Sequence, residues 1–123
     1  MITEDYVSFE TAKLLKEKGF NEPCRSYWAD NYSLSFEHTK LFVSNGDYSV
    51  YLLRPTLQMT MKWLREKHKI EIRVIYDNDK LSWYGTCNPM NVLYQILLGF
   101  GCKSKSYEEA CEAAIKYCLE NLI

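Results

Sequence analysis

The chain has 123 residues, 47% of them apolar, with 15 basic side chains against 16 acidic ones and a formal net charge of -1. That length fits a single domain over 1–123, one able to bury roughly two-thirds of its unfolded surface without help from a disulfide or a metal. The even balance excludes a global field that draws the protein to nucleic acid or to an anionic membrane, so binding of either kind needs a local patch.

The N-terminal stretch MITEDYVSFETAKLLKEKGF carries Glu4 and Asp5 near its start and lacks the uninterrupted apolar run of a secretory signal. No segment approaches the roughly 20 apolar residues that cross a bilayer, and even Val92 to Phe100 is broken by Gln95 and Gly99. The expectation is a soluble, cytoplasmic protein without a membrane partner. Five cysteines, an odd number with no CxxC pair, suit free thiols in a reducing compartment.

In chain order, Ser8 is placed to cap a first helix over 8–18, with Ala12, Leu14 and Leu15 on its apolar side. Gly19 supplies the left-handed stop, and Phe20 then falls where a Schellman motif brings an apolar side chain back onto Leu15. From Cys24 to Leu53 the period changes to two. Tyr32, Leu34 and Phe36 alternate with Ser33 and Ser35 as in a strand, and Asn45-Gly46 between LFVS and DYSVYLL predicts a hairpin turn with positive φ at both positions. Tyr27, Trp28, Phe42, Tyr48 and Tyr51 crowd this middle with aromatic rings, enough for one to face solvent or a partner.

Pro55 suits a helix start, where its missing N–H costs nothing, so a second helix is expected over 56–68. Leu57, Met61, Leu64 and His68 gather on one face, flanked by Thr60 and Trp63, while Lys62, Arg65, Glu66 and Lys69 make the other face charged. Ile70, Ile72, Val74 and Tyr76 next alternate as a strand, Asp77, Asn78 and Asp79 turn the chain, and Leu81 to Thr86 returns antiparallel. Residues 88–101 fit either a helix capped at Asn88-Pro89 or a buried strand. The strand is favoured because it continues the meander and leaves GCKSKS to bring a last helix back across the sheet.

That last helix, 107–121, starts at the capping box Ser106-x-x-Glu109. Tyr107, Ala110, Cys111, Ala114, Cys118, Leu119 and Leu122 share one stripe, so Cys111 and Cys118 belong to the packed side. Seven residues set them about 10 Å apart along the axis, too far for one disulfide or one zinc ion. Glu108, Glu109 and Glu112 surround Cys111 with negative charge, which disfavours a reactive thiolate, and packing is the better reading of both cysteines.

No catalytic, cofactor-binding or metal-binding residue emerges, and no cofactor is implied. His68 lies at a helix C-terminus, where the dipole favours a positive charge, and His38 lies in the turn EHTK; neither has a GxSxG-like nucleophile context. Paired zinc ligands are missing, and the Asp77-Asn78-Asp79 turn has Leu81 and no glycine where a calcium loop bends. KWLREKHK on the second helix, with abundant aromatic residues for stacking, is the one feature that favours nucleic acid, and Glu66 and the neutral balance oppose it.

The phrases VSFETAKLLKEKGF, TLQMTMKWLREKHKIEIRVIYD and SYEEACEAAIKYCLENLI together resemble a family of short uncharacterised proteins of Bacteroides genomes, their phages and other mobile elements. The resemblance covers both ends and the centre, about half the chain, and implies no catalytic motif. A second similarity, carried by SYEEACEAA, is to HicB-type antitoxins, in which a small sheet leads into such a helix; the N-terminal helix here departs from that order.

These readings converge on an α+β protein, an antiparallel sheet with about three helices packed mainly on one face. The function expected is a non-enzymatic interaction protein, a small adaptor or modulator of a phage or mobile element that acts on a protein partner or by self-association. A nucleic-acid-binding or antitoxin-like regulator, and an enzyme whose site assembles from distant residues, are the alternatives.

Overall fold

Ser8 has extended backbone and its hydroxyl accepts from the Thr11 amide at 3.2 Å, which opens helix α1 (Phe9–Glu17). At the other end the Phe20 amide donates to the Leu15 carbonyl at 2.9 Å and the Gly19 amide to that of Lys16 at 3.2 Å, with Gly19 at φ 89°. This pair of bonds is the Schellman motif, and Leu15 and Phe20 are both buried. The structure, a computed structural model, describes residues 2–29, 32–35, 51–90, 96–97 and 104–123. The Asn45-Gly46 hairpin and His38 therefore lie outside the described residues.

The described chain divides into two compact units, 1–56 and 57–123. In the first, strands β1 (Ser26–Ala29), β2 (Tyr32–Ser35) and β3 (Tyr51–Leu53) form an antiparallel sheet in the order β2-β1-β3. Trp28 is paired with Ser33 on one side and Leu52 on the other. Helix α1 packs on β3, and the segment before it is tied down where the Val7 amide donates to the Pro55 carbonyl at 3.0 Å.

In the second unit helix α2 (Leu57–His68) buries Leu57, Thr60, Met61, Trp63 and Leu64, the face that the spacing predicts. His68 closes the helix. One residue, Lys69 at φ 56°, turns the chain into strand β4 (Ile70–Asp77), held by the Met90 amide on the Lys69 carbonyl at 2.8 Å. Strands β5 (Ser82–Pro89) and β6 (Ile96–Leu97) complete an antiparallel sheet in the order β4-β5-β6. Strand β5 runs three residues beyond the expected Thr86, because Pro89 ends the strand opposite Ile70, where its missing N–H breaks no interior ladder. Within 88–101, Ile96 and Leu97 pair with Cys87 and Thr86, which makes the third strand of the meander.

Cross-strand partners share a face, so Ile72 with Cys87 and Val74 with Gly85 turn toward helix α3 (Tyr107–Asn121), which packs on both strands and on α2. Gly85 permits that approach: a Cβ there would lie 2.9 Å from Ala114 Cβ and 3.3 Å from the Ala110 carbonyl oxygen. Ala110, Cys111, Ala114, Ile115, Cys118 and Leu119 are completely buried. Ile115 thus joins the predicted stripe, while Tyr107 and Leu122 sit at its margin, half-buried.

The Ser106 hydroxyl accepts from the Glu109 amide at 3.1 Å, as the capping box requires. Glu109 reaches back one residue further, to the Lys105 amide at 2.9 Å. The chain adopts the α+β class, with three helices among the described residues and antiparallel strands in two sheets, and α2 follows β3 and precedes β4 in chain order.

Candidate functional site

The turn between β4 and β5 spans Asn78 to Leu81, flanked by the pair Asp77 and Ser82. Asp77 builds it locally: its Oδ1 accepts from the Asp79 amide at 2.9 Å and the Lys80 amide at 3.3 Å, an Asx turn that uses the carboxylate for folding. The last turn residue has to take left-handed backbone to re-enter the strand, and that residue is Leu81 at φ 53°. Leu81 is therefore a turn residue and does not begin the returning strand, as its apolar character led one to expect. DNDKL contains no glycine, so a bulky residue occupies a conformation that costs an L-amino acid about 1–2 kcal/mol.

Leu81 is also 75% exposed, the second most exposed large apolar residue described after Ile2. Ile75 and Tyr76 beside it are 39% and 40% exposed. Alternation places Ile75 with its partner Tyr84 on one face of the hairpin and Tyr76 with Trp83 on the other, so both faces of this end are apolar.

The hairpin end is braced. The Tyr76 and Trp83 rings meet edge to face at 5.1 Å, and Trp83 meets Tyr107 in the same way at 5.7 Å. Tyr107 OH in turn accepts from Gln58 Nε2 at 3.3 Å. The Trp83 amide donates to the Ser104 carbonyl at 3.0 Å, which ties the lead-in of α3 to β5. The Gln58 hydrogen bond lowers the Tyr107 pKa, but burial together with Cys111 and Glu108 outweighs it, and the net shift is upward. The end therefore combines apolar and aromatic side chains with the charged turn residues Asp77, Asp79 and Lys80, a mixture that suits a protein partner.

The other residues singled out by sequence have structural settings. His68 packs its ring against Trp63 at 4.7 Å, and burial lowers its pKa, an effect opposed to the charge that the helix dipole favours there. Cys111 is pushed up to about 11 by burial, with Glu108 and Glu112 adding to the rise against a hydrogen bond to Tyr107. In the first unit Cys24 is pushed up to about 12, again by burial, and its thiol donates to the Glu22 carbonyl at 3.3 Å.

Arg54 lies with its guanidinium 4.0 Å from the Tyr6 ring centroid and 5.1 Å from that of Trp28, and it donates to Ser26 Oγ at 2.8 Å. This arrangement closes the end of β3 by cation–π stacking. Lys62 and Lys67 are exposed on α2 and Arg65 is half-buried, so the basic side chains do lie along the outer side of that helix.

Among the described residues no three His, Cys, Asp or Glu side chains gather in a way that could hold a metal ion, and no helix is long and apolar enough to cross a membrane. The hairpin end escaped sequence reasoning because Leu81 looks like an ordinary strand residue. The absence of glycine from a turn that needs positive φ was the available signal. No protein-family model, curated protein or solved structure matches this chain.

Proposed function

We propose that the protein is a non-enzymatic interaction protein, a small adaptor or modulator of a phage or mobile element, that grips a protein partner with the end of the β4–β5 hairpin. Leu81 carries this reading. A leucine that is 75% exposed and held at φ 53° serves neither the backbone, which asparagine or glycine would suit better, nor the core. Outlying backbone of this kind concentrates at ligand clamps and contact sites, and exposed Tyr76 with half-buried Trp83 and Tyr84 adds the aromatic side chains that interfaces favour. The mobile-element setting rests on the resemblance of VSFETAKLLKEKGF, TLQMTMKWLREKHKIEIRVIYD and SYEEACEAAIKYCLENLI.

The test places a photo-reactive phenylalanine analogue at Tyr76 and irradiates the full chain in a lysate of its host. The expected result is one protein adduct of discrete mass, lost when Leu81→Asp is added. Adducts unchanged by Leu81→Asp, or formed only from a probe placed at Lys62, would overturn the assignment of the hairpin.

The outer side of α2, with Lys62, Arg65 and Lys67, favours a second reading as a nucleic-acid-binding regulator. Binding to short RNA or DNA that weakens steeply with salt and disappears with Lys62→Glu and Arg65→Glu would support it. Flat titrations at low salt would remove it.

A further inference from the structure

Cys87 on β5 and Cys118 on α3 are 31 residues apart in sequence, and their sulfurs are 3.0 Å apart. The Cys118 thiol donates to Cys87 Sγ, and the Cys87 thiol donates to the Ala114 carbonyl at 3.6 Å. Both residues are completely buried, in the region where Gly85 and Ala114 bring strand and helix together. A disulfide needs the sulfurs about 1 Å closer than this, a shift within side-chain reach.

We propose that Cys87 and Cys118 form a redox-closable staple, a disulfide that a peroxide oxidant makes when α3 lifts from β5. Hydrogen peroxide oxidises one thiol to a sulfenic acid, releasing water. The other thiol sulfur attacks that sulfur, the S–S bond forms, and a second water leaves with the remaining proton. In total, two thiols and one peroxide give one disulfide and two waters, with two electrons passing to the peroxide.

The closed fold holds the pair inert. Its hydrogen bond to Cys87 and its burial keep the Cys118 thiol protonated far above neutral pH, and no peroxide reaches a sulfur with no exposed surface. Oxidation therefore reads the opened state of α3, and once made the bond closes a long loop and restricts the unfolded chain. Cys111, on the same helix and equally buried, has no sulfur partner among the described residues.

The experiment treats the full chain with hydrogen peroxide in increasing sub-denaturing urea, blocks remaining thiols, and maps peptides without reduction. The expected product is a 2 Da lighter species with the Cys87 and Cys118 peptides linked. It should form several-fold faster as urea approaches the midpoint, melt at least about 5 °C higher, and revert with dithiothreitol. Linkage mainly through Cys24 or Cys111, or sulfinic acid at Cys87 and Cys118 with no link, would overturn the staple. A rate independent of urea would overturn the gating by α3. The parent chain itself carries the readout, so the result does not depend on whether a cysteine variant folds.

Discussion

At the scale of single residues, the physical setting of Cys118 is the sharpest. Its side chain is completely buried and bonded to another sulfur, so Cys118→Ser puts a hydroxyl into a site that offers it only a weak acceptor. Burying such a group poorly bonded costs about 1–3 kcal/mol. Urea unfolding should show a clearly lowered midpoint for Cys118→Ser, and an unchanged one would mean that the α3 stripe is misplaced. Membership of the stripe was legible from helical spacing. Its partner Cys87 was not, because no local pattern reports which residues of a distant strand a helix will cover.

At the scale of elements, the helix ends were the most readable parts. Ser8, Gly19 with Phe20, and Ser106 each act within a few residues, through bonds that the sequence order itself dictates. The β4–β5 turn was read less well, since the left-handed position fell on Leu81, a residue whose type argues for a strand. Gly85 likewise gave no sign of its purpose until α3 was seen against it.

Gly85→Ala would drive a methyl to 2.9 Å from Ala114 Cβ and 3.3 Å from a backbone carbonyl, so α3 has to move away. A loss of about 1–3 kcal/mol is expected for such overpacking. At Gly19, where a Cβ meets nothing within 4 Å, alanine should cost only the strain of positive φ, about 1 kcal/mol. Melting the two variants side by side checks the order, and the reverse order would contradict the close contact of α3 with β5.

At the scale of the whole molecule, the buried thiols set an alkaline limit. A thiol whose folded pKa is raised binds its proton more tightly in the native state, so its contribution is complete below about pH 9 and is lost as pH rises toward the folded value. Cys111 at about 11 and Cys24 at about 12 place that loss above pH 9. Between pH 8 and 10.5 the parent should lose more urea resistance than Cys111→Ala, which has no thiol to ionise at that position. Parallel losses would show that Cys111 ionises in the folded chain as readily as in the unfolded one.

The two-sheet arrangement also belongs to this scale. Period-two segments announced strands and their antiparallel sense, but which strands share a sheet depends on contacts distant in sequence, such as α1 on β3 and α3 on β4 and β5, on which local pattern is silent.

Leu81 is strained and exposed at the hairpin end, and under the proposed function that position serves a partner instead of the fold. Urea unfolding of the parent and Leu81→Asn tests it most directly, since asparagine tolerates left-handed backbone and removes an exposed apolar side chain. The expected outcome is a variant more stable by about 1 kcal/mol, with the Tyr76 photo-adduct lost. A variant less stable than the parent, still forming the adduct, would contradict it.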